Sequence, residues 1–346
     1  MPHMKTIDSH VHIYTTQALR KVRDYRLAAG LDALCLASIG CIGEARAAQQ
    51  NLLSLLIKRE ERGIFAYGSL LYPSLPAPEK PEGRFDPLRQ AQDLIRLGFD
   101  GVKLLESKPG CRKKIGRPLN GPLYRDFFAY LEETGTPILW HVADPETFWD
   151  ASRAPKFALD AGWVYTDGTY PSKEALYEEV RAVLDRHPKL QVTLAHFYFL
   201  SAFEEEARAL LERHPNVWLD LTPGIEMYEN FSLAPARWRD FFSEYRERIV
   251  LGTDYADDDT AVDPADTVRH IVRFLSTEDH FPFWGRLVNG LGLAEEAVRD
   301  IVGGNFTRRN GKRPRDVDRE AMADYFDKWL DCVADADMRT YLIEYL

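Results

Sequence analysis

The sequence predicts an α/β fold: one (β/α)8 barrel of the TIM type with extra helices at its C-terminal end. Eight short apolar or β-branched runs alternate with longer stretches of helical character, as parallel strands joined by helical crossovers require. A chain of 346 residues is long enough for one large barrel. No glycine-rich dinucleotide or P-loop fingerprint follows the first run, which tells against the alternative, an open doubly wound sheet.

The predicted strands are Thr6–His12, Ala33–Ile39, Ile64–Leu71, Gly101–Leu105, Pro137–His141, Gln191–His196, Val217–Leu221 and Ile249–Asp254. Helices fit between them. Gly43–Arg62 places Leu52, Leu53, Leu56 and Ile57 at helical spacing. Asp86–Leu97 and Leu119–Thr134 stop at Gly98 and Gly135, a residue suited to helix ends. Ser172–Arg186 opens on an imperfect capping box, and Ser201–Arg213 follows it. Both helices end in His-Pro, at His187-Pro188 and His214-Pro215, before the next strand. Beyond the eighth unit, Ala294–Val302 and Asp318–Leu346 read as further helices, with polar, basic Thr307–Arg315 as a linker. The expected organisation is a barrel over residues 1–310 and a helical extension over 311–346 packed on it.

Composition excludes several classes. The net charge of −10 opposes general nucleic-acid binding, which needs a basic face. The four cysteines form no Cys-x-x-Cys and no evident disulfide framework, so a reducing compartment is expected. The first residues carry no apolar leader core, and no stretch approaches the roughly 18 apolar residues of a membrane span. The expectation is a cytoplasmic protein without a membrane partner.

The chemistry begins at IDSHVH. In a regular strand Asp8, His10 and His12 share one face, and two histidines so placed can grip one metal ion. His141 closes the fifth strand in PILWH, His196 the sixth in VTLAH and Asp254 the eighth in IVLGTD. In a barrel the C-terminal strand ends converge on one mouth, where barrel enzymes place their chemistry. Metal-type residues at four such ends are poorly explained as solvated surface.

IDSHVH, WH, AH and GTD in this order resemble the amidohydrolase superfamily, in particular the single-domain branch that contains aminocarboxymuconate semialdehyde decarboxylase. GGNFTRRNG, residues 303–311, is similar to the ending of that branch. The resemblance implies His10, His12, His141 and Asp254 as ligands of one divalent ion, zinc first among the candidates. It implies Asp254 as the acceptor of a proton from the attacking water. It places His196 beside that water in mononuclear members, or on a second metal in binuclear ones. Lys103, on the fourth strand, is either a carboxylated bridge between two metals or a group touching substrate. Glu106 has the opposite parity to Lys103, so it reaches the site only if the strand has ended before it.

Specificity is expected in the loops. ESKPGCRKKIGRP carries Arg112 and Arg117, suited to an anionic substrate unless the loop is merely solvated. The stretch 143–171 carries Trp149 and other aromatics that either wall a pocket or form a minor core. The expected activity is hydrolysis of a C–N or C–O bond (amide, cyclic amide or lactone) in a small molecule. The rival activities are metal-dependent decarboxylation of a small carboxylic acid and a non-catalytic metal-binding barrel. Homodimers are common among soluble barrels of this kind, but no sequence feature specifies one.

Overall fold

The structure, a computed structural model, describes residues 4–41, 43–83, 85–224, 226–259 and 261–344. Its strands are β1 (Ile7–His12), β2 (Ala33–Ala37), β3 (Ile64–Gly68), β4 (Gly101–Ser107), β5 (Ile138–Val142), β6 (Val192–Leu194), β7 (Val217–Asp220), β8 (Ile249–Val250) and β9 (Tyr255–Ala256). All pair in parallel, and β1 to β8 lie in sequence order. The sheet closes where β8 meets β1: Ser9 N donates to Leu251 O at 3.0 Å and Asp254 N to His10 O at 3.0 Å. β9 then continues the eighth strand and pairs with β1 at Val11–Tyr255. The architecture is the predicted (β/α)8 barrel.

Two apolar layers follow from strand alternation. Ile7, Cys35, Phe65, Tyr67, Leu139 and Phe306 fill the barrel, with the Phe306 ring 5.0 Å from that of Phe65. The opposite faces, such as Leu34, Leu36, Val102, Leu104, Val192 and Leu194, pack under the helices.

The predicted helix ends are chemically explained. Asp86 accepts from Arg89 N at 3.2 Å, Ser172 accepts from Ala175 N at 3.1 Å, and His187 and His214 stand at the C-terminal ends of their helices. Other expectations change. Helices Ala18–Ala28, Pro235–Glu244 and Pro264–Ser276 and the hairpin His280–Phe283/Arg286–Asn289 were not anticipated. The first helix buries only Ala18, Leu19, Val22 and Tyr25, a narrow stripe in a charged segment. The expected linker begins inside a helix, Asn305–Asn310. The expected last helix is two, Arg319–Trp329 and Ala336–Glu344, because Asp335 caps the second by accepting from Met338 N at 3.0 Å. Its last two residues lie outside the described ones.

Helix Arg319–Trp329 packs on helices Glu44–Glu60 and Pro87–Leu97. Phe326 and Trp329 are buried there, and Tyr325 Oη accepts from Asn51 Nδ2 at 3.1 Å. Gly98 permits this approach. Its φ is +99°, and a Cβ would stand 2.3 Å from the Asp316 carbonyl oxygen. Gly98→Ala is therefore expected to destabilise the protein by about 1–3 kcal/mol in urea unfolding. A change below about 0.5 kcal/mol would mean that the chain at Asp316 moves aside freely.

Candidate metal centre

β1 is not a regular strand. Its register against β2 shifts between Asp8 and Val11, a bulge that breaks alternation. The expected common face of Asp8, His10 and His12 is thereby corrected. His10 and His12 line the mouth cavity, whereas Asp8 turns outward, accepting from Tyr25 Oη at 2.6 Å and Thr253 Oγ1 at 2.6 Å. Burial pushes the Asp8 carboxyl up to about 6 against these donors. Its role is to tie β1 to the residue before Asp254.

The eighth strand also breaks. Leu251 N leaves the sheet for Ile301 O at 3.1 Å, and Asp254 takes a left-handed φ of 59°. Gly252 makes room for the turn, since a Cβ there would lie 2.5 Å from Thr222 Oγ1 and 3.1 Å from His10 Cβ. Asp254 thus enters the barrel mouth, with Oδ1 3.0 Å from His12 Nε2 and 3.5 Å from His10 Nε2. The potential ligand atoms of His10, His12 and Asp254 lie within 4.8 Å of one another.

The outer nitrogens of the two histidines are held. His10 Nδ1 donates to Asp220 Oδ2 at 2.9 Å and His12 Nδ1 to Ala37 O at 2.6 Å. Both lone pairs therefore fall on Nε2, and these atoms face each other at 3.1 Å. Lys103 Nζ stands 2.9 Å from His10 Nε2. Burial, then the Lys103 charge, holds the His10 imidazole well below its ordinary value and so neutral. Burial also lowers Lys103, to about 8. Against burial, the His12 hydrogen bond and the His10 charge hold Asp254 well below the usual carboxylate range. Two imidazoles and a carboxylate, all converging, form a donor set that suits a divalent metal ion.

His196 stands on an unusual turn. Residues His196 to Phe199 have φ values of 54°, 53°, 56° and 52°, a left-handed run without glycine. Such a conformation costs roughly 1–2 kcal/mol per residue. Packing offsets it: Phe197 is stacked 5.8 Å from Phe242, and Tyr198 lies 4.3 Å from Tyr177. His196 N donates to Asp220 Oδ1 at 2.7 Å. His196 Nε2 comes 4.0 Å from Asp254 Oδ2, while Nδ1 is buried without a hydrogen-bond partner. Burial holds this ring at about 4, again neutral.

His141 was expected as a fourth ligand. It lines the cavity, its ring 4.8 Å from that of His196, but stands outside the converging trio. Its Nε2 is turned to Ala143 O at 3.0 Å and Asp144 Oδ1 at 3.4 Å. Burial lowers it to about 4.

Three expected substrate contacts are placed elsewhere. Arg112 Nε bonds both Glu179 oxygens at 3.0 Å, Arg117 donates to Ala77 O at 3.0 Å, and Trp149 Nε1 to Pro171 O at 3.2 Å. None lines the cavity of about 880 Å³; Lys103, Lys108, Lys113 and Lys114 are the lysines that line it, and Trp163, Tyr165 and Tyr170 form an aromatic wall. Helix Pro109–Ile115 turns Arg112 away from its neighbours on the mouth side. Glu106 also misses the cavity. β4 shifts register between Leu104 and Ser107, and Glu106 is buried against Tyr72 Oη at 3.2 Å and Leu105 N at 2.7 Å. The residue missed altogether was Asp220, the acid that ends the apolar run VWLD just as Asp254 follows IVLGT.

Residues 73–308 match the profile of the family described as Amidohydrolase. The chain belongs to the amidohydrolase family. Among solved structures, the amidohydrolase barrel is similar to an uncharacterized TIM-barrel protein from Bordetella bronchiseptica, with 14% identity, TM-score 0.55 and coverage of 89% of this chain and 100% of that one. It is similar also to IDCase from Metarhizium anisopliae, with 14% identity, TM-score 0.53 and coverage of 88% and 97%. These likenesses show the fold. No curated protein gives a significant match. Membership makes this amidohydrolase an enzyme of a metal-dependent hydrolase superfamily. Among the described residues, no helix is long and apolar enough to cross a membrane.

Burial raises Glu106 from 4.5 to about 7. Between those values the folded protein holds a proton that the unfolded chain has released, so stability falls as pH rises. Glu106→Gln removes this loss. Relative to wild type, the variant is expected to gain on the order of 2 kcal/mol between pH 5 and pH 8 in urea unfolding. A difference that stays constant with pH would show that Glu106 is ionised in the folded protein throughout.

Proposed function

We propose that this amidohydrolase hydrolyses a C–N or C–O bond (amide, cyclic amide or lactone) in a small, anionic substrate, with one divalent ion, zinc first, held by His10, His12 and Asp254. The observation that carries the reading is the convergence of these three donors on the cavity floor. His141 is the proposed fourth donor through Nδ1, because its Nε2 already serves Ala143 and Asp144. The bound ion supplies an acidified water and polarises a carbonyl.

The protein's own groups do the rest. Asp254, ionised and partly open to the cavity, accepts a proton at Oδ2 and returns it to the leaving atom. His196 is neutral, and its Nε2, 4.0 Å from Asp254 Oδ2 at the cavity, is the proposed hydrogen-bond partner of the substrate oxygen on which charge develops. Lys114, together with Lys113 (itself shared with Asp167 at 3.5 Å), attracts an anionic group at the rim, while Trp163 and Tyr170 cover the apolar part of the substrate and exclude water. Lys108 is already paired with Asp144 at 2.6 Å and shapes the wall. We propose residues 1–310 as the catalytic unit and residues 311–346 as an extension packed on it.

Elemental analysis tests the centre. Wild type is expected to hold about one equivalent of a transition metal, lost in both His10→Ala and Asp254→Asn. Wild type without metal after reconstitution would sink the mechanism. Asp220→Asn is expected to keep the fold but weaken zinc affinity about 10–100-fold, since His10 loses its charged acceptor. Product analysis separates hydrolysis from its rival: release of carbon dioxide without uptake of water would replace the hydrolase reading with a decarboxylase.

A further inference from the structure

A second large cavity, of about 890 Å³, lies at the opposite end of the barrel from the metal centre. Its walls are Lys58 to Gly63, just before β3, and Arg313 to Arg319, which run past the start of β4. Asp100 fixes the second wall, accepting from Arg315 N at 2.7 Å on Oδ1 and from Ala66 N at 2.8 Å on Oδ2. The same carboxylate is ion-paired with Lys58, whose ammonium also donates to Gly98 O at 2.6 Å. Residue 315 is thus tied to the barrel body through a buried acid.

The charge of this cavity is not internally balanced. Arg62, Arg313, Arg315 and Arg319 line it, are exposed, and among the described residues none is paired with a carboxylate. Of the lining acids, Glu60 is engaged by Arg59 and Glu61 by Arg23, which leaves Asp316 against four guanidinium groups. In a chain of net charge −10, such an excess around one concavity is a local inversion of the overall field. Guanidinium groups bind phosphate oxygens in bidentate fashion.

We propose that this cavity binds a compact polyanion carrying two or more phosphate groups. Four guanidinium groups spread over two separate segments of the lining are best matched by an anion that presents phosphate oxygens at more than one point. Among the described residues the lining contains no aromatic ring on which a base could stack, which disfavours a nucleotide. A concave patch on an acidic protein also disfavours extended nucleic acid. The bound anion would bridge the barrel, through Arg62, to the extension, through Arg313 and Arg319.

The test is calorimetric titration of the full chain with pyrophosphate and tripolyphosphate at constant ionic strength, with orthophosphate and sulfate in parallel. One site per chain is expected, with tripolyphosphate tighter than orthophosphate. Arg313→Ala/Arg319→Ala is expected to weaken it by about 10-fold or more, and Arg62→Ala, on a separate segment, similarly. Asp254→Asn and Lys114→Glu keep the affinity, which excludes binding at the mouth. Circular dichroism of the arginine variants controls for folding. The proposal is overturned if the arginine variants bind as wild type does, if Lys114→Glu or Asp254→Asn abolishes binding, or if sulfate at equal ionic strength binds as tightly.

Discussion

The active end of this barrel is organised around one buried carboxylate. Asp220 accepts on Oδ2 from His10 Nδ1, and on Oδ1 from the backbone amides of His196 and Thr222. A single side chain at the end of β7 therefore fixes a ring on β1 and a turn after β6. Burial alone would push Asp220 toward neutrality, so its donors are what make an ionised acid tolerable there. Loss of the charge would free the His10 tautomer and remove an anchor from the left-handed turn together. Such shared partners couple strongly, and single substitutions around Asp220 should not be additive.

The same device recurs on a smaller scale. Asp8 joins β1 to Thr253, and Asp100 joins β3, Lys58 and the chain at residue 315. Each is an acid at a place where two segments must meet side by side without a strand ladder to hold them. The barrel supplies rigidity through its apolar layers, and these carboxylates supply registration.

Much of this was legible in the sequence, because the fold rests on periodic features. Eight runs of strand-like residues, glycine stops and His-Pro endings mark local structure that tertiary packing does not overturn. His10, His12 and Asp254 were visible because a polar group at the end of an apolar run is conspicuous. What escaped was set by departures from periodicity. The bulge at Asp8–Val11 separates Asp8 from the two histidines, and the shift at Leu104–Ser107 sends Glu106 behind the wall. Neither displacement alters residue spacing in the chain. The directions of Arg112, Arg117 and Trp149 depend on partners in distant segments, Glu179 and Pro171 among them. Asp220 had the same signal as Asp254 and was passed over.

Closure of the sheet between Ser9 and Leu251 has a consequence for biosynthesis. Those residues are 242 positions apart, so one edge of β1 has no strand to pair with until the eighth strand has been made. His10 and His12 emerge from the ribosome well before Asp254. The trio cannot form on a nascent chain that stops short of it, and an N-terminal fragment would expose an open strand edge beside two unsupported histidines. The three donors therefore come together only after β8 has been made and has closed on β1.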